Sequence, residues 1–186
     1  MKRVLRYLLN SLIALGVLGI ALMTCFPLFN LHLNTSDSLP RGIYRQIRDG
    51  ADGIRRGDIV RFCLSGEAAS LSKSRGYVDT PFPDTGCELY LRPLMKPVVA
   101  LPGDVVAIDD GGVSVNGERI ANSRRMAEDG LHRAMPEPAA TGVVADGTVW
   151  VISGHHPFSW DSRYYGAIPL ANVRGIVRPF ILWSDL

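Results

Sequence analysis

Lys96-Pro97-Val98-Val99-Ala100-Leu101-Pro102-Gly103-Asp104-Val105-Val106-Ala107-Ile108-Asp109-Asp110-Gly111-Gly112-Val113-Ser114-Val115-Asn116-Gly117 is three short apolar runs cut by turn residues. Each run has the length of a strand and is too short for a helix, and Asp-Asp-Gly-Gly and Asn-Gly are hairpin chemistry. Working outward, similar runs lie at 58–64, 148–153 and 175–182, punctuated by 19 glycines and 12 prolines in all. The pattern predicts strands at 58–64, 96–101, 104–108, 113–115, 148–153 and 175–182. Outside the amino terminus no apolar period of three or four helical turns is present, so 66–88 and 121–142 are expected to be long loops. Gly-Asp precedes the strands at 57 and 103, which is repeated turn chemistry and not a duplication. The expected class is mainly β: a single β-rich domain, mostly antiparallel and partly closed, after an N-terminal transmembrane helix.

That helix is read from the first 28 residues. Lys2, Arg3 and Arg6 open the chain, and 7–26 carries no charge. Twenty residues at about 1.5 Å each span about 30 Å, the thickness of a hydrocarbon core. Met23-Thr24-Cys25-Phe26-Pro27 lacks the small-x-small pattern of a cleavage site, which favours an uncleaved signal-anchor over a removed leader. Basic residues stay cytoplasmic. The expected division is therefore 1–28 as cytoplasmic start and anchor, with 7–26 in lipid, and 29–186 as an exported domain.

Charge agrees with this division. The total is +2, and the first 28 residues hold three basic and no acidic side chains, so 29–186 sits at −1. No basic stripe with interleaved aromatics exists, and no nucleic-acid partner is expected. Of three cysteines, Cys25 lies in the apolar run, while Cys63 and Cys87 lie in the exported part, an oxidising compartment. A bridge between them would close about 25 residues and add about 3 kcal/mol; two free thiols remain the alternative. Neither cysteine nor histidine spacing fits a zinc ligand set, and no cofactor is implied.

Three segments carry chemistry. In Ser36-Asp37-Ser38-Leu39-Pro40-Arg41-Gly42-Ile43-Tyr44 a hydroxyl sits on a Pro/Gly turn about a dozen residues past the anchor. Serine becomes a nucleophile when a base takes its proton, and Lys96, in an apolar run, is a base if burial keeps it neutral. The bland alternative is an edge-strand lysine. In Ser159-Trp160-Asp161-Ser162-Arg163-Tyr164-Tyr165-Gly166, Ser159 is placed to bond a lysine amine. Asp161 either orients Lys96 through a hydroxyl or pairs with Arg163. Ser36 and the Ser38 N–H are candidate oxyanion donors. His155 and His156 leave open a Ser38/His/Asp161 triad.

These three segments resemble the type I signal peptidase superfamily, most closely its TraF-like branch of conjugative transfer systems. Ser38-Leu39-Pro40-Arg41-Gly42 is similar to that branch's nucleophile box, with Pro-x-Gly where housekeeping enzymes have Pro-Thr or Pro-Ser. Lys96 with 98–104 is similar to the general-base strand, and 159–166 to the closing box. The resemblance implies Ser38 as nucleophile, Lys96 as general base, Asp161 as essential support, Ser159 as a lysine-orienting hydroxyl and Ser36 as an oxyanion donor. Cys63 and Cys87 sit where the branch often carries a cysteine pair. Pro97 departs from the Arg usual after the lysine, and Ser153-Gly154-His155-His156 replaces Gly-Asp-Asn-Arg. The implied activity is serine endopeptidase processing of a pilin precursor in the periplasm at the bacterial inner membrane. Acyl transfer for pilin cyclisation, and contacts with other pilus or secretion components, belong to the same expectation. A housekeeping signal peptidase and a non-catalytic membrane-tethered β scaffold are the alternatives.

Overall fold

A computed structural model describes residues 2–81, 85–137, 139 and 141–183. The chain opens with α1, Lys2–Leu28. Within it Arg3–Ala21 is long and apolar enough to cross a membrane, and none of that stretch is buried against the rest of the protein. Thr24 turns its hydroxyl back onto the Ile20 and Ala21 carbonyls, 3.0 and 2.9 Å away, which satisfies it inside the helix. Asn30, at φ 51°, turns the chain out of the helix, and its carbonyl accepts the Gln46 N–H at 2.8 Å.

The remainder is mainly β. In chain order the strands are β1 (Leu31–Asn34), β2 (Gly42–Asp49), β3 (Ile59–Phe62), β4 (Leu94–Ala100), β5 (Val105–Asp109) and β6 (Gly112–Val115). They continue with β7 (Glu118–Arg119), β8 (Gly142–Val143), β9 (Thr148–Val151), β10 (Ile168–Pro169) and β11 (Val173–Leu182). One sheet runs β1-β2-β11-β3-β4-β9-β10, and a second runs β7-β6-β5-β8. Every strand pairing among the described residues is antiparallel. The Asn-Gly turn behaves as its chemistry dictates: Asn116 and Gly117 both take positive φ, 52° and 82°, between β6 and β7.

Each expected strand is present with ends moved by a few residues. β1, β2 and the two-residue strands β7, β8 and β10 lie outside the expected runs; 42–49 alternates with arginines and lies next to a turn-rich segment. Nor is 66–88 loop throughout: Gly66–Arg75 forms α2. This helix buries only Ala69 and Ser72, so it has no apolar stripe to read; its signals are Glu67 in the first turn, Lys73 and Arg75 in the last, and Gly76 in the left-handed region closing it. Of the two expected loops, residues 82–84, 138 and 140 lie outside the described residues.

Period-two alternation explains the core. Along β4 the buried positions are Lys96, Val98 and Ala100, so the pleat that sends two apolar side chains inward sends the lysine with them. Val98 joins Val60, Phe62, Val149, Val151, Trp160 and Ile176 in the principal core. Ala100 joins Val106, Val113, Val115, Trp150 and Ile152 in a second cluster under the smaller sheet. Because β4 lies between β3 and β9, Lys96 is not an edge-strand lysine. Pro97 accepts the Ile152 N–H at 3.0 Å but has no N–H to return, so β4 keeps its place with one ladder donor fewer.

Candidate active site

The link between β1 and β2 carries Ser36 and Ser38, and one buried amide holds it. Asn34, at the end of β1, donates through Nδ2 to the carbonyls of Ser36, Leu39 and Pro40 at 3.1, 3.0 and 3.1 Å. Its Oδ1 accepts the Ser36 N–H at 3.3 Å and hydroxyl at 2.8 Å. The Tyr44 hydroxyl adds a bond to the Pro40 carbonyl at 2.8 Å. Leu39 is buried with Tyr44 and Val177. Buried polar groups demand partners, so Asn34 ties the turn down at several points while Ser38 stays partly exposed.

Lys96 approaches from β4. It is only 3% exposed, and its Nζ donates to the Ser159 hydroxyl at 3.0 Å. Burial lowers its pKa from 10.5 to about 8; the Asp161 carboxylate works against that shift and Arg163 with it. Ser36, Ser38, Lys96 and Ser159 line one cavity of about 320 Å³ whose apolar wall includes Val78, Leu94, Trp160 and Tyr164. The Ser36 and Ser38 hydroxyls are 3.1 Å apart. With the Ser36 proton donated to Asn34, the Ser36 oxygen accepts the Ser38 hydroxyl.

Asp161 and Arg163 face each other and not the lysine. Both are fully buried; Arg163 Nε and Nη2 each lie 2.8 Å from a carboxylate oxygen of Asp161. The remaining guanidinium donors reach the carbonyls of Asn122, Arg124, Ser153 and Ser159. Asp161 also caps the short helix α3, Ser162–Tyr165, by accepting the Arg163 N–H. A buried ion pair is tolerable only when its lone pairs and protons are satisfied in this way. The pair fixes the corner that presents Ser159 to Lys96, so Asp161 reaches the lysine through backbone and field, not through a hydroxyl.

The same corner holds a residue that sequence reasoning passed over. The Ser153 N–H donates to Asp161 at 3.1 Å, its carbonyl accepts from Arg163, and its hydroxyl donates to the Ser38 carbonyl. Ser153 thus joins the buried ion pair to the backbone of Ser38. The only signal in the chain was a serine where a glycine was expected, and the bond spans 115 residues. Asn34 gave no signal either, being one more polar residue in a turn.

The histidine triad does not assemble. His156 Nδ1, the nitrogen a triad would turn toward Asp161, accepts the Phe158 N–H at 3.2 Å, and both Asp161 oxygens face Arg163. Elsewhere, Cys63 and Cys87 are joined as a disulfide with Cα atoms 5.3 Å apart, and Arg174 Nε donates to the Cys63 sulfur at 3.2 Å. Among the described residues no cluster of three His, Cys, Asp or Glu side chains is disposed to hold a metal.

Comparison with known proteins supplies the family. The chain is 28% identical over 185 residues to the plasmid transfer protein TraF of Escherichia coli, across 98% of this chain and 100% of that one. It is 33% identical over 169 residues to the conjugal transfer protein TraF of Agrobacterium fabrum, across 89% of this chain and 92% of that one. A crystal structure of a signal peptidase I from Enterococcus faecalis, 20% identical, matches across 68% of this chain and 98% of its own with a TM-score of 0.40. A family model described as signal peptidase, peptidase S26, matches residues 4–183. On that match over nearly its whole length, the chain belongs to the S26 family of signal peptidases.

Proposed function

We propose that this protein is a membrane-anchored serine endopeptidase in which Ser38 attacks a peptide carbonyl and Lys96 is the general base. Its proposed substrate is an exported pilin precursor of a conjugative transfer system. The observation that carries the reading is the single cavity shared by Ser38 and a buried Lys96. A lysine accepts a proton only when neutral, and burial to a pKa of about 8 supports that role near physiological pH. The Ser38 Oγ forms a bond to the carbonyl carbon as its proton passes to Lys96 Nζ. The carbon–nitrogen bond then breaks, the proton goes to the departing amine, and an acyl-enzyme remains. Water, or a second amine closing the product into a ring, releases it.

Ser159 holds the lysine amine in register. The Ser38 N–H is the natural oxyanion donor, and Ser36 joins it when its hydroxyl turns from Asn34. The basic start of α1 and its uncharged span support an amino terminus in the cytoplasm and a catalytic domain in the periplasm. Ser38 lies ten residues past the end of α1, which keeps the reaction close to the membrane, where a membrane-held precursor exposes its cleavage site. Homology to proteins named for plasmid and conjugal transfer supports the conjugative setting.

The test is processing of a co-expressed pilin precursor, read by mass spectrometry, by wild type, Ser38→Ala, Lys96→Ala and His155→Ala. The expected result is loss in the first two variants and retention in the third. The product mass separates a cut chain from one that has lost a further water on ring closure. Full processing by Ser38→Ala and Lys96→Ala would overturn the reading and favour a scaffold.

A further inference from the structure

A second cavity, of about 460 Å³, opens on the other side of the Ser38 turn, and its wall includes Arg41, His155 and Trp183. Asp37 and His156 line both this cavity and the one containing Lys96, so the two meet one residue from the nucleophile. Ser38 lines the first cavity, its neighbours Asp37 and Leu39 line the second, and its carbonyl is held by Ser153. Both volumes fall in the range of ordinary ligand sites.

The two cavities differ as the two halves of a substrate differ. The acyl half remains through the covalent intermediate and needs a site with apolar walls beside Lys96. The Lys96 cavity, walled by Val78, Leu94, Trp160 and Tyr164, is of that kind. The amine half must enter, leave, and be replaced by water or another amine, which suits a polar, open surface. The second cavity is the more polar of the two: beside Leu39 and Pro40, Asp37 and Arg41 neutralise each other across 2.6 Å, and two imidazoles and an indole supply donors and flat surface. His156 is fixed between them. Its Nδ1 accepts the Phe158 N–H, which leaves Nε2 as the ring's donor toward a peptide carbonyl.

We infer that this second cavity binds the polypeptide segment following the scissile bond, with His156 and Trp183 as its selecting residues. The inference rests on the serine peptidase reading and deepens it. One loop, 153–159, then serves both halves of the reaction: Ser153 holds Ser38, His156 separates the cavities, and Ser159 holds Lys96.

The experiment is cleavage of a mixed library of proteome-derived peptides by the full chain in detergent micelles. Products are identified by mass spectrometry, so that preferences on both sides of the cut are read together. Wild type is expected to discriminate among residues at the first two leaving-side positions by about tenfold, the scale of single pocket contacts. In His156→Ala and Trp183→Ala that discrimination flattens to within about twofold, and in Trp183→Ala, whose side chain lines only the second cavity, preferences before the cut stay unchanged. Leaving-side profiles identical in wild type and variants, or changes confined to the acyl side, would overturn the inference while leaving the peptidase reading intact. Cleavage that persists in Ser38→Ala, or is absent from wild type, would overturn both.

Discussion

Ser153 reaches across 115 residues of sequence to hold the nucleophile turn. Its hydroxyl fixes the carbonyl of Ser38, and its own backbone is fixed by Asp161 and Arg163. Removing the hydroxyl releases the Ser38 carbonyl and the His155 N–H while leaving the Lys96–Ser159 bond as it is. Ser153→Ala is therefore expected to lower kcat by about 10- to 100-fold, since displacement of a reacting group by about 1 Å costs on that order. KM should change little, and Ser153→Thr, which keeps the hydroxyl, should recover much of the rate. Kinetics on a cleavable peptide decide it; a rise in KM at unchanged kcat would place Ser153 in binding instead of positioning.

Among the elements, β2 and β11 enclose the nucleophile turn, and their pairing begins at Gly42 opposite Leu182. A Cβ on Gly42 would run into the Ile181 carbonyl and the Leu182 side chain. Gly42→Ala should therefore force the strands apart and destabilise the domain by about 1–3 kcal/mol, measured as a shift in urea midpoint at unchanged slope; no shift would mean that the pair tolerates the methyl. This constraint also shows what sequence could and could not reveal. Strands such as β4, β5 and β6 were legible because apolar runs end in Gly, Pro and Asn turns. α2 was not, because a helix that buries an alanine and a serine leaves no periodic trace. Gly42 was readable as turn chemistry, but its real reason lies across the sheet. In the site, Ser38, Lys96 and Ser159 could be named from their local motifs. The inward aim of Lys96 needed the strand register, and the contacts made by Asn34 and Ser153 needed the folded chain.

For the molecule as a whole, two features tie distant parts together: the disulfide and the core that dries Lys96. The Cys63–Cys87 bridge joins the end of β3 to the segment leading into β4. Closing 24 residues of separation, it should contribute about 3 kcal/mol by restricting the unfolded chain. Reduction, or Cys63→Ala with Cys87→Ala, should lower the thermal midpoint of the detergent-solubilised protein; an unchanged midpoint would show the bridge to be dispensable. The core acts on chemistry as well. By burying Lys96 beside Val98 and Ala100 on one face of β4, it holds the amine at a pKa of about 8. A base is active in its neutral form, and the neutral fraction rises as pH passes upward through that value. The most direct measurement is the pH dependence of peptide cleavage by the full chain between about pH 6 and 10. A rising limb with its midpoint near the lysine value of about 8 is the predicted result. A rate flat across that span, or one rising with a midpoint near an ordinary histidine value of about 6.5, would contradict Lys96 as the base.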